Sequence, residues 1–273
     1  MPKGQFADEY DAAATLAARQ ACLLVAVRLG SLLDELVVVG GLVPSLLIQP
    51  AGTVEPHVGT ADLDVGISLA LLDSGQYAEI AEQLRAAGFA PDVNAQNNPT
   101  FQRWRSGFGV TMDFLIPPTR DVQQGGRLQN LTPDFAAIVT PGLELAFKDR
   151  EVITVDERLL DGERAIRQIG VCGPGAFVVL KALAFNGRGE PKDAYDLHYM
   201  LASLADGPPA IAARIKGLST NPDVDTALAV LQRDFAEPDA IGPASVARFL
   251  QHGLDDEIQA DVAGLVRELL RLL

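Results

Sequence analysis

The chain has 273 residues, 48% of them hydrophobic and 21% charged, with a formal net charge of −14 at neutral pH. That is a globular composition with material for one large or two small cores, and its acidity excludes a generic nucleic-acid binder, whose phosphate contacts need Lys and Arg in excess. Two isolated cysteines, Cys22 and Cys172, exclude a disulfide framework and a zinc-site spacing.

The opening Met1-Pro2-Lys3-Gly4-Gln5 lacks the pattern of a secretory leader, and no apolar run is expected to reach the roughly 20 residues of a membrane helix. A cytoplasmic protein with no membrane partner is therefore expected. Asp8 to Leu33 reads as a helix, Leu36 to Gly41 as a strand entering a glycine pair, and Leu42 to Ile48 as helical. A strand over Asp62 to Leu69 follows, then a helix from Gln76 to Ala87 stopped by Gly88. Strands are expected through Phe101 to Ile116, with a hairpin turn at Ser106-Gly107, then over Leu143 to Val155 and Arg164 to Cys172. From Pro174 the pattern is helical, interrupted at Pro208-Pro209 and Asn221-Pro222 and closed by Val246 to Leu273. This order predicts an α/β (α+β) fold with a mixed, partly antiparallel sheet, with domains at 1–172 and 173–273 and no internal repeat.

In Asp62-Leu63-Asp64-Val65-Gly66-Ile67-Ser68-Leu69 the large apolar residues alternate strictly. Leu63 and Val65 then face the core while Asp62 and Asp64 project together from the other face. Adjacent carboxylates repel unless a cation neutralises them, and oxygen-only ligands suit Mg²⁺ or Mn²⁺, whose remaining positions go to water and phosphate oxygens. The expected substrate is accordingly a nucleotide. Asp113 occupies the matching place in Val110-Thr111-Met112-Asp113-Phe114-Leu115-Ile116, opposite the apolar side. Three acids on two strands would suit a two-ion clamp for in-line phosphoryl chemistry; they would also suit a merely solvated sheet face.

Gly40-Gly41, lacking Cβ atoms, lets backbone N–H groups approach a triphosphate, with a helix N-terminus and the Ser45 hydroxyl adding contacts. A tight strand-to-helix turn explains the same pair. The Gly-Lys-Ser/Thr ending of a P-loop is absent. Further on, Gly173-Pro174 starts a helix carrying Lys181, Gly187 and Gly189 end it, and Asp193, Asp196 and Met200 share a face of the next. Lys181 suits a triphosphate as a point charge and Arg188 suits a phosphate bidentately, while Asp196 reads as a base, a metal ligand or a partner for Lys181. Ordinary helix ion pairs fit these spacings equally. His198, beside Tyr195 and Asp196, reads as structural. Residues 1–102 carry four basic and twelve acidic side chains, and basic residues become denser from Arg103 and Arg105 onward; these fit either a local phosphate-binding surface or solvated charge.

The succession Gly40-Gly41…Ser45, Thr60-x-Asp62-x-Asp64 and Asp113 resembles the nucleotidyltransferase fold of the DNA polymerase β superfamily. Lys181 on a helix, then Arg188, then Lys192-Asp193-Ala194-Tyr195-Asp196-Leu197 is similar to the AbiEii-type nucleotidyltransferase toxins of type IV toxin–antitoxin and abortive-infection systems, relatives of which are the mycobacterial MenT proteins. The resemblance spans about residues 30 to 205. It departs from the family pattern in a long loop with Pro44, Pro50 and Pro56, and in His57-Val58-Gly59 standing where a basic residue is common.

The resemblance implies a nucleotidyltransferase domain whose cleft is completed by a helical C-terminal domain. It implies Mg²⁺ or Mn²⁺ on Asp62, Asp64 and Asp113, catalytic parts for these three with Lys181 and Asp196, and an NTP held by Gly40, Gly41, Ser45, Thr60, Arg188 and Lys192. The implied reaction moves NMP from the NTP to an acceptor hydroxyl, an RNA such as a tRNA 3′ end, in a toxin with a cognate antitoxin protein. Two other readings stay open: transfer to a small molecule such as an antibiotic, which the acidic charge suits, and a non-catalytic binding module.

Overall fold

The computed structural model describes residues 4–49, 55–68, 74–120, 122–160 and 162–273; Met1 to Lys3, Pro50 and Leu69 lie outside the described residues. The chain forms two compact units. A sheet unit comprises Ala12–Val43 and Gly59–Cys172, and a helical unit comprises Met1–Asp11, Pro44–Val58 and Gly173–Leu273. The change of unit after Cys172 falls where the last strand gives way to Gly173-Pro174. Met1–Asp11 and Pro44–Val58, which a single boundary at that point would leave with the sheet, belong with the helices.

In chain order the sheet unit contains helix α1 (Ala12–Leu29), strand β1 (Leu36–Val39), the first residue of helix α2 (Val43–Leu47), β2 (Asp62–Ile67), α3 (Ser74–Ala86), β3 (Phe89–Val93), β4 (Pro99–Ser106), β5 (Thr111–Ile116), β6 (Leu128–Thr132), β7 (Phe135–Val139), α4 (Glu144–Lys148), β8 (Arg150–Arg158) and β9 (Arg164–Cys172). Among the described residues the strands form one mixed α/β sheet in the order β3-β4-β5-β2-β1-β9-β8, with β7 beside the end of β5 and β6 beyond it. Strand β2 runs antiparallel to β1 and parallel to β5, and β4 runs antiparallel to β5.

Alternation decides which face is buried. Leu63, Val65 and Ile67 of β2, and Met112, Phe114 and Ile116 of β5, are buried. Helices α1 and α3 touch each other and lie against β2, β8 and β9 and against β3, β6 and β7 respectively. Cys22 and Val25 of α1 line the same small apolar gap as Leu63 and Val65. Phe135 sits at the aromatic centre of this core, with ring centroids 4.7 Å from Phe114 and 6.1 Å from both Tyr77 and Trp104.

Several expectations are corrected here. The first helix does not run from Asp8 to Leu33. A 3₁₀ turn at Ala7–Glu9 precedes it, and Gly30, with φ +56°, ends it. By length and composition Ala12–Glu35 is apolar enough to cross a membrane, contrary to the expectation that no run reaches that length. In this fold Ala18 and Ala21 to Ala26 are buried as the cover of the sheet. The expected strand from Leu143 to Val155 begins instead as α4, because Gly142 with φ +74° turns the chain so that Leu145 N–H donates to Gly142 O at 2.9 Å. Strands β3, β6 and β7 are additions.

The helical unit contains α5 (Pro174–Arg188), α6 (Pro191–Ser203), α7 (Gly207–Lys216), α8 (Pro222–Asp234), α9 (Ile241–Gln251) and α10 (Asp256–Leu272). Proline stands in the first turn of α5, α6, α7 and α8, where its missing N–H costs nothing. The expected interruptions at Pro208-Pro209 and Asn221-Pro222 are therefore helix starts, the second capped by the Asn221 side chain accepting from Asp223 N–H. The closing run from Val246 is two helices, divided at His252 with φ +57° and restarted by the Asp255 cap on Ile258 N–H.

Phe135→Ala is expected to cost the sheet unit about 3–5 kcal/mol, read as a lowered urea midpoint at unchanged slope. A loss under roughly 0.5 kcal/mol would mean that the aromatic cluster is not its core.

Candidate active site

The face of β2 opposite its core carries Asp62, Asp64 and Gly66. Parallel pairing sets Asp64 directly beside Asp113 and Asp62 beside Thr111, so the three acids predicted from period-two spacing share one face. At the Gly66 end this face is covered, since a Cβ there would meet Val37 and Leu143 side chains at 3.0 and 3.2 Å.

The glycine pair is built onto this acid face. Gly40 has φ +72°, and an added Cβ would lie 2.8 Å from Asp64 Cγ. Only glycine fits a left-handed backbone with a carboxylate packed that closely. Gly41 lies against Thr60, which donates a short hydrogen bond from Oγ1 to Asp62 Oδ1. Thr60 in turn donates its N–H to Thr15 Oγ1 at 3.0 Å. Gly59, with φ +87°, lets the backbone pass Thr15, whose Cβ would sit 2.8 Å from an added methyl. Gly40, Gly41, Thr60, Asp62 and Asp64 thus form one packed set. The helix after the glycines has only five residues, so its dipole adds little to anion binding, contrary to the expectation of a helix N-terminal site. Ser45 lies in that short helix.

Asp113 differs from the other two acids. It is buried, and Arg103 of β4, its partner across the antiparallel ladder, donates from Nε to Oδ1 at 2.7 Å and from Nη2 to Oδ2 at 2.5 Å. Arg103 holds its proton above the ordinary arginine value, chiefly through this bond, with the charges of Asp62 and Asp64 adding to it. Among the described residues no three His, Cys, Asp or Glu side chains converge at metal-ligating range. The three-acid, two-ion arrangement is therefore not assembled here, because Asp113 gives both oxygens to a guanidinium. Asp62 and Asp64 still fit a single Mg²⁺ or Mn²⁺, which takes one or two carboxylates and fills its shell with water and phosphate oxygens.

The helical unit holds Lys181, Arg188, Lys192 and Asp196, and brings them together with Asp193, which shares the helix face expected for it, and with His57, which spacing did not single out. Asp196 is fully enclosed. His57 Nε2 lies 2.9 Å from its Oδ1, to which Lys192 Nζ also donates, and Lys181 Nζ is 2.7 Å from Oδ2. Asp193 accepts from Lys181 Nζ at 3.0 Å and from both Arg188 Nε and Nη2, at 2.6 and 2.7 Å. Lys192 lies over the rings of Tyr10 and Tyr195, at 5.3 and 5.6 Å. Of the three parts read for Asp196, the structure shows the partner of Lys181. Three cations and two carboxylates leave this group one positive charge.

Burial opposes every charge in the cluster, and the outcome depends on the partners. It would raise Asp196, but Lys181 and Lys192 overwhelm it and hold the carboxyl well below its ordinary range. It works against Lys181, yet Asp196 and Asp193 keep that ammonium above its usual value, whereas burial wins at Lys192 and pulls it down. His57 is pulled to about 4 by burial and by the charge of Lys192, so it is neutral at physiological pH. Val58 N–H donates to Tyr195 Oη at 3.2 Å and Tyr199 Oη donates to Glu55 O at 2.9 Å, which pins the His57 segment to α6. His198, read as structural, bonds Asp261 at 2.8 Å.

No family model matches the chain, and no curated protein sequence does. Among solved structures it is similar to an antigenic nucleotidyltransferase-like protein from Paracoccidioides brasiliensis, at 16% identity over 78% of this chain and 93% of that one, with a TM-score of 0.39. A likeness of that size carries no chemistry, which has to come from the residues themselves.

Gly40→Ala is expected to destabilise the sheet unit by about 1–2 kcal/mol from the left-handed backbone alone, with the displaced Asp64 adding to that; an unchanged denaturation midpoint would refute the packing of Gly40 under Asp64. The pH dependence follows from His57. Its folded value of about 4 lies below the ordinary 6.5, so between these pH values the unfolded chain binds a proton that the folded chain does not. Stability is full above pH 6.5 and is lost as the pH falls towards 4, by at most about 3 kcal/mol. Thermal melts of wild type and His57→Gln across that range should show the slope reduced in the variant; identical slopes would place the titration elsewhere.

Proposed function

We propose that this chain is a nucleotidyltransferase whose sheet unit binds a nucleoside triphosphate and passes its nucleoside monophosphate to an acceptor hydroxyl. The observation that carries this is Gly40, left-handed and packed under Asp64, which makes the glycine turn and the paired acids one site. A glycine turn whose backbone can approach phosphates, set against two carboxylates that suit a divalent cation, fits a triphosphate better than it fits any uncharged ligand.

In this reading Gly40 and Gly41 cradle phosphate oxygens, and Thr60 holds Asp62 in place through its hydroxyl. Mg²⁺ or Mn²⁺ held by Asp62 and Asp64 would supply neutralisation of the phosphate charge. The acceptor oxygen bonds to the α-phosphorus as the bond to pyrophosphate breaks, and a carboxylate of the acid face takes up the hydroxyl proton. The helical unit's Lys181, Arg188, Lys192 and Asp196 form a second group of net positive charge suited to a polyanion. The finer reading is an RNA acceptor, a tRNA 3′ end, in a toxin restrained by a cognate antitoxin; its support is the motif resemblance of Gly40 through Asp64 and of Lys181 through Leu197. The net charge of −14 favours a second reading, a small-molecule hydroxyl as acceptor.

The test is incubation with each α-³²P-labelled NTP, Mg²⁺ and total cellular RNA, or with a panel of hydroxylated antibiotics. Wild type should label one acceptor class, and Asp62→Asn and Asp64→Asn should lower the rate by roughly a hundredfold or more. Label on a tRNA-sized band supports the RNA reading and label on a small molecule supports the second. Transfer that survives both substitutions, or no transfer to any acceptor, sinks the proposal.

A further inference from the structure

The Arg103–Asp113 pair lies on the acid face, beside Asp64. Its geometry is specific. The guanidinium fork meets the carboxylate bidentately, and Asp113 is the direct register partner of Asp64 on one side and of Arg103 on the other. The carboxylate is 8% exposed and the guanidinium 38%, so the acid is an anchor sunk in the sheet and the cation is the part that reaches solvent. Guanidinium has five N–H donors, of which this pairing uses two, leaving three for another acceptor. Arg105, next along β4 on the same face, is instead turned to Asp92 of β3, at 2.9 and 3.1 Å.

Resting on the reading of this face as a triphosphate site, we infer that the site takes a single divalent cation on Asp62 and Asp64, and that Arg103 supplies the second positive charge as a phosphate-binding group. Asp113 is then a positioning residue, acting on the triphosphate only through the guanidinium it orients. The charge balance agrees. Three carboxylates and one guanidinium sum to −2, which one divalent cation neutralises, whereas a second would sit against a fixed guanidinium and be repelled. A planar fork held at two points is already oriented for a phosphate, so little side-chain freedom is lost on binding.

Two measurements test this on the full chain. Mn²⁺ titration followed by electron paramagnetic resonance should count a single ion for wild type, Arg103→Ala and Asp113→Asn alike, with Asp62→Asn abolishing it. Calorimetry with Mn²⁺ and an α,β-methylene triphosphate should then show Arg103→Ala weakening binding by about tenfold or more. Asp113→Asn should weaken it in the same direction, and the double variant should be no worse than Arg103→Ala alone. Arg103→Lys should recover only part, because an ammonium cannot fork. The double variant leaves no unpaired buried carboxylate, so it keeps the test usable if Arg103→Ala does not fold. Two Mn²⁺ in wild type falling to one in Asp113→Asn would make Asp113 a metal ligand and overturn the inference while sparing the site. Additive losses in the double variant would overturn it too. No Mn²⁺ bound by wild type would overturn the inference and the triphosphate site together.

Discussion

The pleat of β2 is the constraint from which the acid face follows. One short strand has to satisfy two environments at once, placing Leu63, Val65 and Ile67 in the core beneath α1 and presenting Asp62 and Asp64 on the reverse. Because side chains alternate, a slip of one residue would send both carboxylates into the core and three aliphatic groups out. Burial of those aliphatic side chains, each contributing on the order of 1.5–3 kcal/mol, therefore fixes where the carboxylates point. The ladder to β5 extends the same logic, since register alone brings Asp113 beside Asp64 and Arg103 beside Asp113.

The two charged groups of the molecule solve opposite problems. On the acid face Asp62 and Asp64 stay partly exposed, while the buried Asp113 is held bidentately by Arg103. In the helical unit Asp196 has no solvent at all, so its charge survives only because two ammonium groups and an imidazole surround it. Removing one member of such a group leaves an uncompensated buried charge, which is why it rigidifies α5, α6 and the segment around His57 even if its net contribution to stability is small.

Much of this was legible in the chain, and the exceptions have physical causes. Alternation exposed β2 and β5 with their acids, and β9 was expected over the same residues, Arg164 to Cys172, that it occupies. Strand β7, Phe-Ala-Ala-Ile-Val, is almost wholly buried and so has no polar face to alternate with; β3 is disguised by Pro91, and β6 by Gln129 and Asn130. Leu143 to Lys148 carries both a two-residue and a helical period, and the turn at Gly142 decided between them. At the acid face the three carboxylates could be read from spacing, but the Arg103 pairing needed the hairpin register counted back from Ser106, whose N–H donates to Val110 O. His57 and Asp196 are 139 residues apart, and no local pattern links residues so distant.

The chain has a single tryptophan, and Trp104 lies fully buried in the sheet unit between Arg103 and Arg105. Its indole donates to Phe101 O at 3.2 Å, lies under the Arg85 guanidinium and is shut off from water, which favours short-wavelength emission. Tryptophan emission, excited selectively over the four tyrosines, therefore reports on the sheet unit alone, while far-ultraviolet dichroism is weighted towards the helices of the other. Denaturation followed by both signals separates the cooperativity of one unit from that of the other, without a label and without altering a residue.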